Sequence, residues 1–109
     1  MELTRADVDA TPGRLVLEFG AEWCPICDAA RPLIDRAFTE HPGVRRLWVE
    51  DGKGKPLGRS FAVKLWPTLV FLRDGRELAR VVRPRAESEL RAAFERLSDG
   101  AAAASRPGT

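Results

Sequence analysis

The spacing of apolar residues changes several times along this chain, and each change marks an element. Leu15-Val16-Leu17-Glu18-Phe19 is apolar at successive positions apart from Glu18, the pattern of a strand covered on both faces. From Pro25 the apolar residues Ala30, Leu33, Ile34, Ala37 and Phe38 fall at i, i+3, i+4, i+7 and i+8, one face of a helix. His41-Pro42-Gly43 ends it. Val44 to Glu50 predicts a second strand, and the loop from Asp51 to Pro56 leads to a short helical piece around Leu57 to Ala62. Thr68 to Leu72 predicts a third strand. Arg73-Asp74-Gly75-Arg76 is a tight turn of the Asp-Gly kind, so Glu77 to Val82 returns as a fourth strand, antiparallel to the third. A last helix runs from about Ala86 to Ser98, with Leu90, Ala93, Phe94 and Leu97 on one stripe, and Gly100 suits its exit. Ahead of all this, Thr4 to Ala10 reads as a short helix capped by Thr4 and broken by Thr11-Pro12-Gly13.

The order is therefore β-α-β-α-β-β-α, with a short extra N-terminal helix. Parallel strands joined by crossover helices, plus a C-terminal hairpin, make an α/β fold: a mixed β-sheet with helices on both faces. With 109 residues there is no room for a second core. Residues 1–98 are read as one domain and 99–109 as a disordered, low-complexity tail. A formal charge of +2 spreads over 18 basic and 16 acidic residues. The arginines form no tract, so neither nucleic acid nor an anionic membrane is implied. No stretch approaches the roughly 20 apolar residues of a membrane span. The start, Met1 to Asp7, mixes charges and lacks the apolar segment of a secretory signal, which makes cytoplasm the expected location.

Both cysteines lie in Cys24-Pro25-Ile26-Cys27. A structural bridge gains most when it closes a long loop, and two intervening residues constrain the unfolded chain little, so the value of this pair lies in chemistry. A Cys-x-x-Cys near a βαβ pattern reads as a redox motif. Cys24 falls at the helix N-cap, Pro25 at the first helical position, which favours proline, and Cys27 one turn inside. Unpaired N–H groups and the positive end of the helix dipole stabilise a thiolate at Cys24 and lower its pKa. The competing reading, half of a zinc site, lacks a second ligand pair, and the single histidine, His41, is a helix away. No metal or cofactor is expected.

Together, Ala21-Glu22-Trp23-Cys24-Pro25-Ile26-Cys27, the helix proline Pro32, Trp66-Pro67-Thr68 and Phe71-Leu72-Arg73-Asp74-Gly75 resemble the thioredoxin family over roughly residues 14–98. The resemblance implies a thioredoxin-like fold, with Cys24 as attacking nucleophile and Cys27 as the more buried resolving thiol. Pro67 matches the family's cis-proline facing the cysteines, which leaves the Trp66 backbone free to pair with an extended substrate strand. Glu18 stands where the family has a buried Asp. Burial would raise its pKa and let it exchange the Cys27 proton through water. Arg46, in the place of a family lysine, would oppose that, and a purely structural Glu18–Arg46 ion pair is the alternative. Trp23 and Trp66 flank the thiols as an apolar platform, and Pro25 and Ile26 lie on the substrate side. Arg83 replaces a usual glycine, where it narrows the groove or favours acidic partners. Gly20 stands where many thioredoxins carry another aromatic. Pro32 should kink its helix, and His41 should cap the C-terminus.

The chain is thus expected to be a monomeric oxidoreductase that reduces, or exchanges, protein disulfides, recharged by a reductase or glutathione. The Pro-Ile dipeptide departs from the Gly-Pro of typical thioredoxins and is more like glutaredoxins and periplasmic oxidants, so potential and direction stay open. The alternatives are a partner-specific or glutathione-linked oxidoreductase, or a redox-inert binding module on the same fold.

Overall fold

The computed structural model describes residues 2–104. Strand β1 (Arg14–Gly20) is buried from Leu15 onward on both faces, as its unbroken apolar run requires. It pairs in parallel with β2 (Arg45–Glu50) on one side and antiparallel with β3 (Thr68–Arg73) on the other. Beyond β3 lies β4 (Arg76–Val82), so the sheet order is β2-β1-β3-β4. Alternate residues sort the core into two layers. Val16, Leu69, Phe71 and Val81 face the helices α2 (Pro25–Thr39) and α4 (Glu87–Ala104). Leu15, Leu17, Phe19, Val70 and Leu72 face α1 (Arg5–Asp9) and α3 (Pro56–Ser60).

The expected elements are present, with three differences. First, β3 runs antiparallel to β1 rather than continuing a parallel series. A five-residue α3 advances only about 7.5 Å, far short of the roughly 20 Å of a six-residue strand. The chain therefore re-enters the sheet from the end where β2 stops. Second, α4 continues through Gly100 to Ala104, because four alanines are strong helix formers on the far side of the glycine. The remaining tail, 105–109, lies outside the described residues. Third, the His41 ring lies flat on Phe94 at 3.9 Å, and it is the His41 backbone N–H that serves the helix end, donating to Phe38 O at 3.0 Å.

The N-terminal helix is held by a capping box: the Asp7 N–H donates to Thr4 Oγ1 at 3.1 Å and the Thr4 N–H to Asp7 Oδ2 at 2.9 Å. At the β3–β4 turn, Asp74 and Gly75 take φ of 51° and 81°, the two positive angles of a two-residue hairpin loop. Among the described residues no helix is long and apolar enough to cross a membrane.

Candidate active site

β1 ends at Gly20, and three residues later the chain turns into α2. Cys24 is the N-cap, extended at φ −124° and ψ 96°, with Pro25 at the first helical position. Its side chain does what a serine or aspartate does at that place: Cys24 Sγ accepts the Cys27 backbone N–H at 3.1 Å. Asp28 N–H donates to Cys24 O at 3.0 Å and starts the helical ladder. The two sulfurs are joined as a disulfide, with their Cα atoms 5.2 Å apart. Cys24 is 8% exposed and Cys27 2%, so a partner reaches Cys24 first. The helix runs unbroken past Pro32 to Thr39.

Behind Cys27 the parallel register sets Glu18 opposite Trp48 and Gly20 opposite Glu50. A Cβ on Gly20 would meet the Trp48 indole and come within 3.0 Å of Cys27 Sγ. The indole therefore occupies, from the neighbouring strand, the space a larger residue at position 20 would fill. Glu50 holds both ends of this corner: Oε1 accepts from Trp48 Nε1 at 3.4 Å and Oε2 from the Glu22 backbone N–H at 3.1 Å. Trp48 was not anticipated as a site residue; a glycine in an aromatic's place was the signal, since some neighbour has to close the gap.

Glu18 is buried and ion-paired. Its Oε1 accepts from Arg46 Nε at 2.9 Å, and Arg46 Nη1 reaches Asp35 Oδ1 at 2.8 Å. Burial alone would pull the Arg46 pKa down, but bonding to Glu18 and then Asp35 outweighs it and leaves the guanidinium above its ordinary value. The same guanidinium lies 4.7 Å from the Phe38 ring centre.

The other wall starts at β3. Phe19 pairs with Thr68, which brings Trp66 and Pro67 to the end of the sheet from which the cysteine loop leaves. The Trp66–Pro67 bond is cis. The Trp66 carbonyl is not open, however: Arg83 Nε donates to it at 2.9 Å, while the Arg83 N–H extends the β3–β4 ladder to Pro67 O at 2.8 Å. The expectation of an open acceptor missed this bond because its partners are 17 residues apart in the chain. Trp66 is half-buried, with Nε1 donating to Asp51 Oδ2 at 2.9 Å, and Asp51 N–H in turn donates to Gly20 O at 2.7 Å. Trp23, 93% exposed, and Ile26, 43% exposed, stand clear of the surface. Trp23 is thus the free apolar face and Trp66 a fixed wall. Among the described residues no three His, Cys, Asp or Glu side chains gather as metal ligands.

Comparison with known proteins agrees with this geometry. The Thioredoxin family profile matches residues 4–96. Thioredoxin 2 from Pseudomonas aeruginosa PAO1, solved in its reduced form, is 54% identical and superposes with a TM-score of 0.81 over 91% of this chain and 92% of that one. Putative thioredoxin-4 of Dictyostelium discoideum is 28% identical over 81% of this chain and 84% of its own length. The TPR repeat-containing thioredoxin TDX of Arabidopsis thaliana is 37% identical over 62% of this chain, which spans only 18% of that larger protein. With a bonded cysteine pair at a helix N-terminus and a family match over nearly the whole domain, the chain belongs to the thioredoxin family of thiol–disulfide oxidoreductases.

Proposed function

We propose that this chain reduces disulfides of other proteins through Cys24 and Cys27. The observation that carries the reading is the Cys27 N–H aimed at Cys24 Sγ: a donor at a helix N-terminus favours the anionic over the neutral sulfur. In the reduced protein, Cys24 thiolate attacks one sulfur of a substrate disulfide. A Cys24–substrate disulfide forms and the other substrate sulfur leaves as a thiolate. Cys27 then loses its proton and attacks Cys24 Sγ, releasing the second substrate thiolate. The substrate has gained two electrons and the protein holds the Cys24–Cys27 disulfide. A thiol donor outside the chain, a reductase or two molecules of glutathione, supplies two electrons and restores the pair.

Glu18 takes the Cys27 proton in this scheme. It is the buried carboxylate on the strand leading to Gly20, and Arg46 holds its Oε1 in place at 2.9 Å. Trp23, Pro25 and Ile26 meet the substrate on the helix side, Trp66, Pro67 and Arg83 on the sheet side.

Insulin reduction with dithiothreitol tests the reading. Wild type is expected to accelerate precipitation. Cys24→Ser is expected to abolish it, and Cys27→Ser to accumulate a mixed disulfide visible on a non-reducing gel. Trapping by Cys24→Ser instead would reverse the two roles, and no acceleration by wild type would remove the reductase reading. Glu18→Gln is expected to lengthen the lifetime of the mixed disulfide, by about a hundredfold or more for a lost proton acceptor, without slowing its formation. Equal slowing of both steps would make Glu18 a structural residue only. Titration against glutathione fixes the direction, separating a reductant near about −270 mV from an oxidant near about −120 mV.

A further inference from the structure

Arg83 has a backbone that suits glycine and a side chain placed where a substrate belongs. Its φ is +50°, a conformation that residues with a Cβ rarely adopt. The half-buried guanidinium uses Nε to cover the Trp66 carbonyl at 2.9 Å. An extended peptide pairing with the edge at Trp66 needs that same carbonyl for one of its N–H groups. The free protein therefore has its docking acceptor occupied by its own side chain. Past Arg83 a cleft of about 480 Å³ runs along the start of α2, lined by Ile26, Ala30, Leu33, Pro84 and Arg85. Two arginines, Arg83 and Arg85, stand on one side of it, and its helix side is apolar.

We propose that Arg83 is a specificity-determining residue that admits disulfides flanked by acidic residues. The inference rests on the exchange reading above. A substrate strand has to displace Nε from the Trp66 carbonyl, and the loss is unrewarded when the strand is neutral. When an Asp or Glu side chain flanks the attacked cysteine, the displaced guanidinium bonds to that carboxylate, with Arg85 adding charge of the same sign. The bond given up had a charged donor and a neutral carbonyl acceptor, whereas the new one joins two opposite charges and can be bidentate, so it is the stronger of the two. A glycine at position 83 would supply neither the plug nor the counter-ion.

The test uses single-turnover reduction by the pre-reduced full chain of two quenched disulfide peptides, identical except for Glu or Gln on both sides of the attacked cysteine. For wild type, the Glu peptide is expected to react about tenfold faster at low concentration. The difference should lie in the half-saturating concentration rather than the limiting rate, and shrink as salt is raised. R83M retains a long side chain and the same backbone demand without the donor, and R83G removes both. Each is expected to lose most of the Glu preference, keeping only what Arg85 supplies, and to accept the Gln peptide at a lower concentration than wild type does. A Glu-to-Gln ratio near one in wild type, or a ratio that persists in full in R83M and R83G, would overturn the proposal. If wild type reduced neither peptide although thiol titration showed the pair fully reduced, the exchange reading would fall and this one with it.

Discussion

The two ends of the sheet solve the same backbone problem with opposite residues. At the far end, the β3–β4 turn needs two positive φ angles and places Asp74 at +51° and Gly75 at +81°. There the chain is closed: Asp74 N–H donates to Gly13 O at 2.9 Å and Gly13 N–H to Asp74 Oδ1 at 2.7 Å. A Cβ on Gly75 would run into the Asp9 backbone. At the cysteine end, positive φ falls on Arg83, and the polar group it satisfies is a carbonyl with a removable partner. Where the backbone's partners are more backbone and a short turn side chain, the end is structural. Where the partner is a long side chain, the end can trade it for a ligand.

The sharpest way to break this contrast is to put matched changes at both ends. Gly75→Ala meets Asp9 and the steric limit on positive φ together, so urea denaturation should register a loss of about 2–4 kcal/mol. Arg83→Gly relieves one strained residue and loses one hydrogen bond, which oppose each other, so stability should stay within about 1 kcal/mol of wild type. Similar losses at the two ends would mean that both are equally structural.

A smaller effect is expected at Trp48. Its indole covers the corner shared by Gly20 and Cys27 yet is 42% exposed. Trp48→Ala should therefore cost about 2 kcal/mol, less than a fully buried Trp. It should also speed alkylation of Cys27 in the reduced protein, and adding Gly20→Trp should slow it again from the other strand. An alkylation rate indifferent to both changes would show that something else shields the resolving thiol.

The smallest effect concerns helix caps remote from the thiols. Backbone N–H donation from Thr4, then its hydroxyl, holds the Asp7 carboxyl below its ordinary 3.8. Backbone N–H donation from Arg85, then Ala86, does the same to Glu89 below 4.5. Folded values below unfolded ones mean that the stabilisation is present above those ordinary values and fades as the pH falls through the folded ones. Wild type should therefore lose more melting temperature between pH 7 and pH 3 than D7N/E89Q does. Parallel losses would remove the caps from the acid sensitivity.

Much of this was legible from spacing, because it depends on neighbours along the chain. Pro25 after Cys24 marks the helix start, Asp74-Gly75 the hairpin, and Leu90, Ala93, Phe94 and Leu97 the buried stripe of α4. What was not legible joins distant segments. Trp48 reaches Cys27 only because β1 and β2 pair with Glu18 opposite Trp48, which periodicity within β2 does not reveal. Arg83 reaches Trp66 only because β4 folds back on β3. The direction of β3 depends on how far α3 advances, which is a question of length rather than pattern.

Asp51 draws these pieces together. One residue clasps the last carbonyl of the strand that launches the nucleophile and, through its carboxylate, the indole of the docking wall. The cysteine loop and the Trp66 wall are thereby tied to a common frame, which on the proposed reading would line up a bound disulfide. Loosening that clasp should blur the aim of the sulfur before it weakens the molecule.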